Sequence, residues 1–343
     1  MQSNNWRFSF IIPSYNPDPE LLRQAVNSCL STGYLNIEVI VVDDGSTSKC
    51  VFSQIADLDK RINVVTQENQ GLAAARNTGI NLSTGDYLIF VDDDDLVHPG
   101  FISAAMSCLS KYPESTILYS DTRDLGHFNN NCCSLHSKEF SPAQIVSFFC
   151  DLEKGEASRL GVNRFSAWAK IFPRFLFQKG ARFDPKQGYI GEDRLFLFSN
   201  MMAFQRICCI YGKPMYFYRQ RTLSITNGYK PSIRTKYSQL AERLVFACKG
   251  NTTMEHQVYF DVLNIHFFNV CSMDIFNKNS EARLNQKIAQ LRQYAGSALF
   301  QEALNSSIIR SIHLKKRFIL RLVKWKMYFA VGVIFSCHYR RKG

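Results

Sequence analysis

Four consecutive aspartates, at positions 92–95, come directly after an apolar run at residues 87–91. Adjacent carboxylates at the end of a buried strand repel one another, and they destabilise the fold unless a cation or hydrogen-bond donors compensate them. Carboxylate oxygens suit a hard cation such as Mg²⁺ or Mn²⁺, which takes its remaining ligands from water and from a substrate's phosphates. The aspartates therefore predict a metal site for a diphosphate-bearing substrate, with a solvated acidic loop as the alternative.

Two further polar clusters follow apolar runs. Residues 13–17 (Pro-Ser-Tyr-Asn-Pro) come after the run at 8–12, and residues 43–47 (Asp-Asp-Gly-Ser-Thr) come after the run at 37–42. Each cluster alone is also typical of an ordinary turn. As part of a site, Asp44 could accept hydrogen bonds from a base or a ribose. Because no glycine-rich phosphate loop accompanies the clusters, a metal and basic side chains must neutralise the phosphates.

The spacing of apolar residues places these clusters at the ends of strands. Strands are predicted at 8–12, 37–42, 63–66 and 87–91, and helices at about 18–31, 71–82 and 99–111. This alternation predicts a doubly wound, parallel sheet with helices on its faces. Ligands of such sheets bind beyond the carboxyl ends of the strands, where the polar clusters lie.

Four motifs in this order resemble family 2 glycosyltransferases. They are Ile-Ile-Pro-Ser-Tyr-Asn at 11–16, Val-Val-Asp-Asp-Gly-Ser at 41–46, Asn-Gln-Gly-Leu-Ala-Ala-Ala-Arg-Asn-Thr-Gly at 69–79 and Gly-Asp-Tyr-Leu-Ile-Phe-Val-Asp-Asp-Asp-Asp at 85–95. The resemblance covers about residues 7–122. It implies an α/β GT-A fold, which is Rossmann-like with a mostly parallel sheet flanked by helices, and an inverting transfer from a nucleoside-diphosphate sugar with a divalent metal.

The resemblance also implies roles for individual residues. Those at uracil-binding positions are Pro13, Tyr15 and Asp44, and Arg76 resembles a basic residue near the nucleotide. Asp92 and Asp94 fill the DxD pattern, with Asp94 as the expected direct metal ligand, and Asp93 is expected to face the ribose or the sugar. His98 is either a further metal ligand or an ordinary turn histidine.

An inverting transfer needs a base that deprotonates the acceptor hydroxyl. Glu192 and Asp193 open a predicted helix, where acidic residues are also common as capping groups. They resemble the family's Glu-Asp acceptor motif, which implies that Asp193 is the base and Glu192 contributes to acceptor binding. Trp168 could stack on a sugar or belong to the core. Arg219 or Arg221 could offset the charge of the departing diphosphate.

The C-terminal third predicts helices rather than more sheet. Residues 123–165 are weakly patterned and predict a surface excursion, whereas 232–249, 254–276 and 280–299 have helical spacing. We expect a GT-A domain at 1–228, with a nucleotide-sugar half at 1–122 and an acceptor half at 123–228. A helical extension at 229–302 and a basic amphipathic tail at 303–343 would follow it.

The basic charge of the chain is concentrated in that tail. The formal net charge is +12, yet residues 303–343 contain no acidic residue and ten Lys or Arg residues. On one helix, a single stripe would contain Leu314, Phe318, Leu322, Trp325 and Phe329. The pattern predicts contact with an anionic membrane surface, and the alternative is a terminal helix packed on the body. A nucleic-acid partner is not expected, because no recognition motif is present.

The resemblance, together with the basic tail, implies a hexosyltransferase at the inner face of the cell membrane. The donor would be UDP-glucose or UDP-galactose, and the acceptor a glycan linked to undecaprenyl diphosphate, in β-linked O-antigen or capsule synthesis. The apolar run at 8–12 is too short for a secretory signal, and no apolar run reaches about 18 residues, so a cytoplasmic location is expected. A non-catalytic sugar-nucleotide or glycan-binding protein and a nucleotidyltransferase are the alternatives.

Overall fold

A computed structural model describes residues 5–129, 134–151, 155–188, 190–220 and 229–340, with side chains to residue 337. The chain divides into two compact units, residues 1–220 and residues 221–343. Each unit is described by itself below.

The first unit is built on an eight-stranded sheet, as far as the described residues go, in the order β3-β2-β1-β4-β9-β6-β10-β8. Its strands are β1 (Phe8–Ser14), β2 (Ile37–Asp43), β3 (Ile62–Thr66), β4 (Tyr87–Phe90), β6 (Ser115–Tyr119), β8 (His136–Phe140), β9 (Lys170–Pro173) and β10 (Arg206–Tyr211). A small sheet in the order β5-β11-β7 consists of β5 (Leu96–Val97), β7 (Asp121–Thr122) and β11 (Tyr216–Phe217). The first four strands of the large sheet are parallel, and β9 runs antiparallel to both β4 and β6.

Helices flank this sheet. They are α1 (Pro19–Leu30), α2 (Cys50–Ala56), α3 (Leu72–Leu82), α4 (Phe101–Lys111), α5 (Leu125–Asn129), α6 (Pro142–Phe149), α7 (Glu156–Arg159), α8 (Phe175–Gln178) and α9 (Glu192–Asn200). Asp18 caps α1 by accepting hydrogen bonds from the backbone N–H groups of Glu20 and Leu21. The predicted strands and helices of residues 8–111 are confirmed, with ends that agree within two residues.

The central strands are buried on both faces, and a charged side chain among them, Glu38 of β2, is held by hydrogen bonds. Its carboxylate accepts from Ser9 Oγ at 2.6 Å, from the Thr84 backbone N–H at 2.6 Å and from Arg7 Nη2 at 3.1 Å. Burial opposes ionisation, but these donors lower the pKa of Glu38. Glu38 therefore joins β1 and β2 to the turn that precedes β4. Elsewhere in this core the sulfur atoms of Cys108 and Cys208 are in contact.

The prediction of a surface excursion at residues 123–165 was wrong in part. The segment contains α5, α6 and α7 as well as β8, which is the edge strand beside β10. Three of the five residues of β8 are exposed, because one side of an edge strand lacks a neighbour. The polar sequence of this strand correctly predicted that it is exposed, but it did not predict that β8 pairs with β10.

The second unit is helical in its described part, residues 229–340. Its helices are α10 (Ile233–Cys248), α11 (Thr252–Asp261), α12 (Phe267–Val270), α13 (Leu284–Ala295), α14 (Ala298–Asn305), α15 (Leu314–Lys324) and α16 (Tyr328–Arg340), with π-helical turns at Val262–His266 and Cys271–Ile275. Phe335 of α16 packs on Phe267 and stacks on Phe276, so the last helix belongs to the core of this unit.

Two predicted helices of this unit are interrupted. The one predicted at 280–299 begins at Leu284, ends at Ala295, and is followed by a second helix. The single helix assumed for the tail breaks between α15 and α16, where Lys326 has a φ of 59°. Within the described residues, no helix is both long and apolar enough to cross a membrane.

The contact between α3 and β1 gives a test of the packing. A Cβ atom on Gly79 would overlap Cγ2 of Ile11, a buried residue of β1. Such overpacking costs about 1–3 kcal/mol, against a gain of up to about 1 kcal/mol in helix propensity. We expect Gly79→Ala to lower the free energy of unfolding by about 1 kcal/mol in urea denaturation. Asn81→Ala, an exposed change on the same helix that removes only a 3.3 Å hydrogen bond from Arg182, should cause a smaller loss, and a stabilised Gly79→Ala variant would contradict this packing.

Candidate active site

The loops after β1 and β2 lie side by side, because Ser14 and Asp43 are paired at the ends of these strands. The backbone N–H of Asn16 donates to Ser46 Oγ at 2.9 Å, and the Thr47 N–H donates to Asn16 Oδ1 at 2.9 Å. Asn16 has a φ of 47°, a conformation that asparagine tolerates better than most residues. Of the predicted uracil-binding residues here, Pro13 is buried in β1, whereas Tyr15 is 53% exposed beside it.

Asp44 is buried at the end of β2, and its carboxylate organises the segment that leads into α3. It accepts hydrogen bonds from Gln67 Nε2 at 2.7 Å, from the Gln70 N–H at 2.9 Å and from the Gly71 N–H at 2.8 Å. An ionised carboxylate has about four acceptor positions, so these three donors leave capacity for a ligand N–H or O–H. The predicted role of Asp44 in nucleotide binding remains a prediction.

The aspartates at 92–95 do not share one environment. Asp92 Oδ1 accepts from Arg76 Nη2 at 3.2 Å, and Asp93 Oδ2 accepts from Ser14 Oγ at 2.7 Å. Asp95 is fully buried and accepts from the Tyr216 hydroxyl and from the Arg219 N–H, both at 2.8 Å. Protein donors therefore compensate Asp92, Asp93 and Asp95, and the sequence analysis missed the structural role of Asp95.

Burial and repulsion between neighbouring carboxylates both oppose ionisation at this loop. Burial raises the pKa of Asp92 to about 6, with repulsion from Asp193 and Asp94 adding to the effect and Arg76 opposing it. Burial likewise raises the pKa of Asp95 well above its ordinary value. A cation bound here would relieve this repulsion.

The carboxylates of the aspartate loop fit a divalent ion that takes most of its ligands from water and from substrate phosphates. Across the described ranges, no group of three His, Cys, Asp or Glu residues is arranged to hold a metal. Mg²⁺ commonly needs only one or two carboxylates, because substrate phosphates and water complete its shell. Asp94 and Asp92 satisfy that requirement. The Nδ1 atom of His98 instead accepts the Gly100 N–H at 2.9 Å, as in an ordinary turn.

Arg76 is the connection between this loop and the start of α9. It lies on α3, is only 1% exposed, and its guanidinium contacts Asp92, Asp193 and, at 3.6 Å, Glu192. Burial alone would lower the pKa of Arg76, but the three carboxylates raise it above its ordinary value. Arg76 is thus enclosed by protein carboxylates, and its predicted position beside the nucleotide remains a prediction.

Asp193 is held at both carboxylate oxygens. Oδ1 accepts from Arg76, and Oδ2 accepts from the Ala167 backbone N–H at 2.8 Å. Gly191, at the N-terminal end of α9, has a φ of 71°, which suits glycine. Burial and the neighbouring Asp193 raise the pKa of Glu192 to about 7, although Arg76 opposes this. The two acidic residues at the start of α9 therefore have different surroundings.

The other predicted site residues lie close by and are mainly engaged with protein groups. Trp168 is buried and stacks on Tyr216 and Tyr218, with ring centroids 5.0 and 5.3 Å apart, so its packing favours the core alternative. Arg219 donates from Nε to the Asp94 carbonyl oxygen at 2.8 Å and so braces the acidic loop. Arg221 lies outside the described residues.

Comparison with known proteins finds a similarity over the N-terminal part of this site. Residues 9–129 match the family described as Glycosyl transferase family 2. The chain is 26% identical to Glycosyltransferase GlyA of Streptococcus pneumoniae, over 77% of this chain but only 38% of GlyA, so it spans well under half of that relative. It is 24% identical to Putative glycosyltransferase EpsH of Bacillus subtilis, over 93% of this chain and 92% of EpsH.

The fold is also that of a solved structure. S. aureus TarS 1–349, in complex with UDP-GlcNAc, superposes with a TM-score of 0.66 and 18% sequence identity, over 98% of this chain and 92% of that chain. The predicted GT-A fold, with a mostly parallel sheet, flanking helices and a helical C-terminal region, is confirmed.

Removal of Arg76 should leave buried carboxylates without their cation. Breaking a buried ion pair by deleting one partner costs about 3–5 kcal/mol. We expect Arg76→Gln to lower the free energy of unfolding by about 3 kcal/mol, measured by urea denaturation at neutral pH. Arg61→Gln removes a partly exposed pair with Asp59 and should have a far smaller effect. Equal effects of the two substitutions would argue against the buried cluster.

Proposed function

We propose that this chain transfers a hexose from a UDP-sugar to a hydroxyl group of a lipid-linked glycan. The transfer is metal-dependent and inverting, and it forms a β-glycosidic bond in the synthesis of a surface polysaccharide such as O-antigen or capsule. One observation carries the proposal: the guanidinium of Arg76 joins Asp92 of the candidate metal loop to Asp193, the candidate base. Asp92, which would hold the metal ion beside the departing diphosphate, and Asp193, which would activate the acceptor hydroxyl, thus belong to one site.

The donor side consists of the loops after β1 and β2. Tyr15 offers an exposed ring for a base, and Asp44 retains acceptor capacity beside it. The family 2 domain match covers these loops, and TarS, which shares the fold, was solved with a UDP-sugar. We propose UDP-glucose or UDP-galactose as the donor and undecaprenyl diphosphate as the lipid that carries the acceptor.

Asp94 and Asp92 would hold Mg²⁺ or Mn²⁺ next to the donor diphosphate. When bound, the ion neutralises the negative charge that develops on the departing diphosphate. Arg219 keeps the loop in place through the Asp94 carbonyl oxygen, and Ser14 Oγ holds Asp93 towards the ends of β1 and β2. These contacts fix the positions of the carboxylates before any substrate is present.

On the acceptor side, Asp193 takes the proton of the acceptor hydroxyl while the oxygen of that hydroxyl forms a bond to the anomeric carbon. The bond between that carbon and the diphosphate oxygen breaks on the opposite face, and UDP leaves with the electron pair. Arg76 and the Ala167 N–H hold the Asp193 carboxylate in one orientation. Glu192 contributes to binding the acceptor sugar.

A donor screen tests the activity directly. We expect release of UDP from UDP-glucose or UDP-galactose in the presence of Mn²⁺, with GDP- and dTDP-sugars turned over more slowly, and loss of release with a chelator. Release of pyrophosphate from a nucleoside triphosphate would instead identify a nucleotidyltransferase. Binding of UDP-sugars without turnover, even with a glycan acceptor, would identify a non-catalytic binding protein.

Asp193→Asn tests the assignment of the base. General-base catalysis contributes about 10²–10⁴-fold to rate, so we expect kcat to fall by about 10³-fold while UDP binding, measured by calorimetry, is retained. Asp57→Asn replaces an exposed aspartate of the same unit and should leave kcat unchanged. Full activity of Asp193→Asn would disprove the assignment.

We further propose that α15 and the start of α16 bind an anionic membrane. Leu320, Leu322 and Val323 are buried, whereas four of the five residues of the predicted stripe are between 56% and 72% exposed: Leu314, Phe318, Trp325 and Phe329. Four exposed basic residues lie among them, namely Lys315, Arg321, Lys324 and Lys326. We call this exposed set the basic aromatic surface. Apolar rings with surrounding cations suit the headgroup region of an anionic leaflet.

Vesicle sedimentation tests this surface. Burial of each large side chain contributes about 1.5–3 kcal/mol, so replacing Phe318, Trp325 and Phe329 together by Ser should weaken binding to phosphatidylglycerol vesicles by at least roughly 100-fold. Phe246→Ser removes an 85% exposed phenylalanine of α10 and should have little effect. Equal binding to neutral phosphatidylcholine vesicles, or steep salt-dependent binding to DNA instead, would contradict the proposal.

A further inference from the structure

Lys170, the first residue of β9, is a buried lysine that the proposed chemistry does not use. Its side chain is fully buried. Nζ donates to the Asn163 carbonyl oxygen at 2.6 Å, to Ser166 Oγ at 3.3 Å and to the Trp168 carbonyl oxygen at 3.5 Å. Three N–H donors of an ammonium group thus meet three neutral oxygens, all within residues 163–168.

A buried ammonium without a carboxylate in its hydrogen-bond shell is unfavourable compared with an apolar side chain of similar size. Burial accordingly lowers the pKa of Lys170 to about 7, although Asp193 and Asp121 oppose this electrostatically and Cys209 also faces it. A purely structural position in a strand would be better served by methionine or leucine. The cost points to a function of the loop that Lys170 holds.

That loop carries the backbone group that holds the candidate base. The Ala167 N–H donates to Asp193 Oδ2 at 2.8 Å. The loop also contains strain next to this donor, because Ala169 has a φ of 55°, a region that residues with a Cβ atom rarely occupy. Strained backbone persists only where its surroundings determine it, and the bonds from Lys170 on both sides of Ala167 are such surroundings.

We propose that Lys170 is a positioning residue, which fixes the loop at residues 163–169 so that the Ala167 N–H orients the carboxylate of Asp193. This inference rests on the proposed function, since it assigns Asp193 as the base. Lys170 acts through the loop and touches neither donor nor acceptor. Its loss should therefore reduce the rate of the chemical step and leave the donor site intact.

Lys170→Met tests the proposal in the full-length chain. Displacement of a catalytic group by about 1 Å costs up to about 100-fold, so we expect kcat for UDP release to fall by about 10- to 100-fold. The KM for the UDP-sugar and the calorimetric Kd for UDP should remain within about twofold of the wild type. Ile171→Val, a truncation in the core of the same strand, is the control for a general loss of stability and should retain kcat.

The pH profile gives a second readout. As the pH rises through about 7, Lys170 loses its proton and one of its three donors, so kcat of the wild type should fall above this pH. The descending limb should be absent from Lys170→Met. If that variant does not fold, Ser166→Ala, which removes one acceptor, should lower kcat by a smaller factor at unchanged KM.

The outcomes separate the inference from the function beneath it. If the wild type is active and Lys170→Met has an unchanged kcat, the role of Lys170 alone is overturned. The same holds for an unchanged kcat in Ser166→Ala if Lys170→Met does not fold. A parallel loss of kcat and of UDP affinity would also overturn it, because that result indicates general damage. Absence of turnover by the wild type with every donor and acceptor would overturn the proposed function and this inference together.

Discussion

The site depends on one buried cation. Arg76 projects from α3 into a position between the loop after β4 and the start of α9, where three carboxylates surround it. Repulsion among Asp92, Glu192 and Asp193 would drive these segments apart without it. The same guanidinium lies 5.1 Å from the centre of the Phe183 ring, so its apolar surroundings limit the screening by water.

This arrangement places conflicting demands on the fold. A buried ion cluster loses hydration, and its internal attraction compensates only when the geometry is good. Around it the backbone supplies further donors: the Arg219 N–H holds Asp95, and the Gly71 N–H at the start of α3 holds Asp44. The acidic loop, α3 and the end of β2 therefore support one another, because Asp92, Asp95 and Asp44 are each held by groups from other parts of the chain.

Sequence reasoning placed the proposed donor residues correctly at the ends of strands, because the signals for those strands are local. An apolar run predicts a strand, and the polar residues that follow it, such as Asp44 or the four aspartates, are then expected at the carboxyl edge of the sheet. The same reasoning could not divide the four aspartates by role, because the partners of Asp95 are more than 120 residues away at Tyr216 and Arg219. Long-range partners leave no mark in local spacing.

The surroundings of Asp193 were harder to predict for a related reason. Lys170 reads as an ordinary charged residue in an aromatic segment, and only the packing of β9 between β4 and β6 shows that it is buried. The pairing of β8 was hidden because polar residues suit an exposed edge. In the tail the helix breaks at Lys326, which the apolar stripe did not predict. Four of the five residues of that stripe are nevertheless exposed, on either side of the break.

The position of β9 has a geometric consequence. In the described sheet this four-residue strand is the only link between β3-β2-β1-β4 and β6-β10-β8, and it pairs with each neighbour through two residues. Because β9 is antiparallel, the residues that precede it emerge at the edge where the aspartate loop lies. The placement of this strand therefore sets the spacing between the aspartate loop that follows β4 and the residues before β9, which include the Ala167 N–H that holds Asp193.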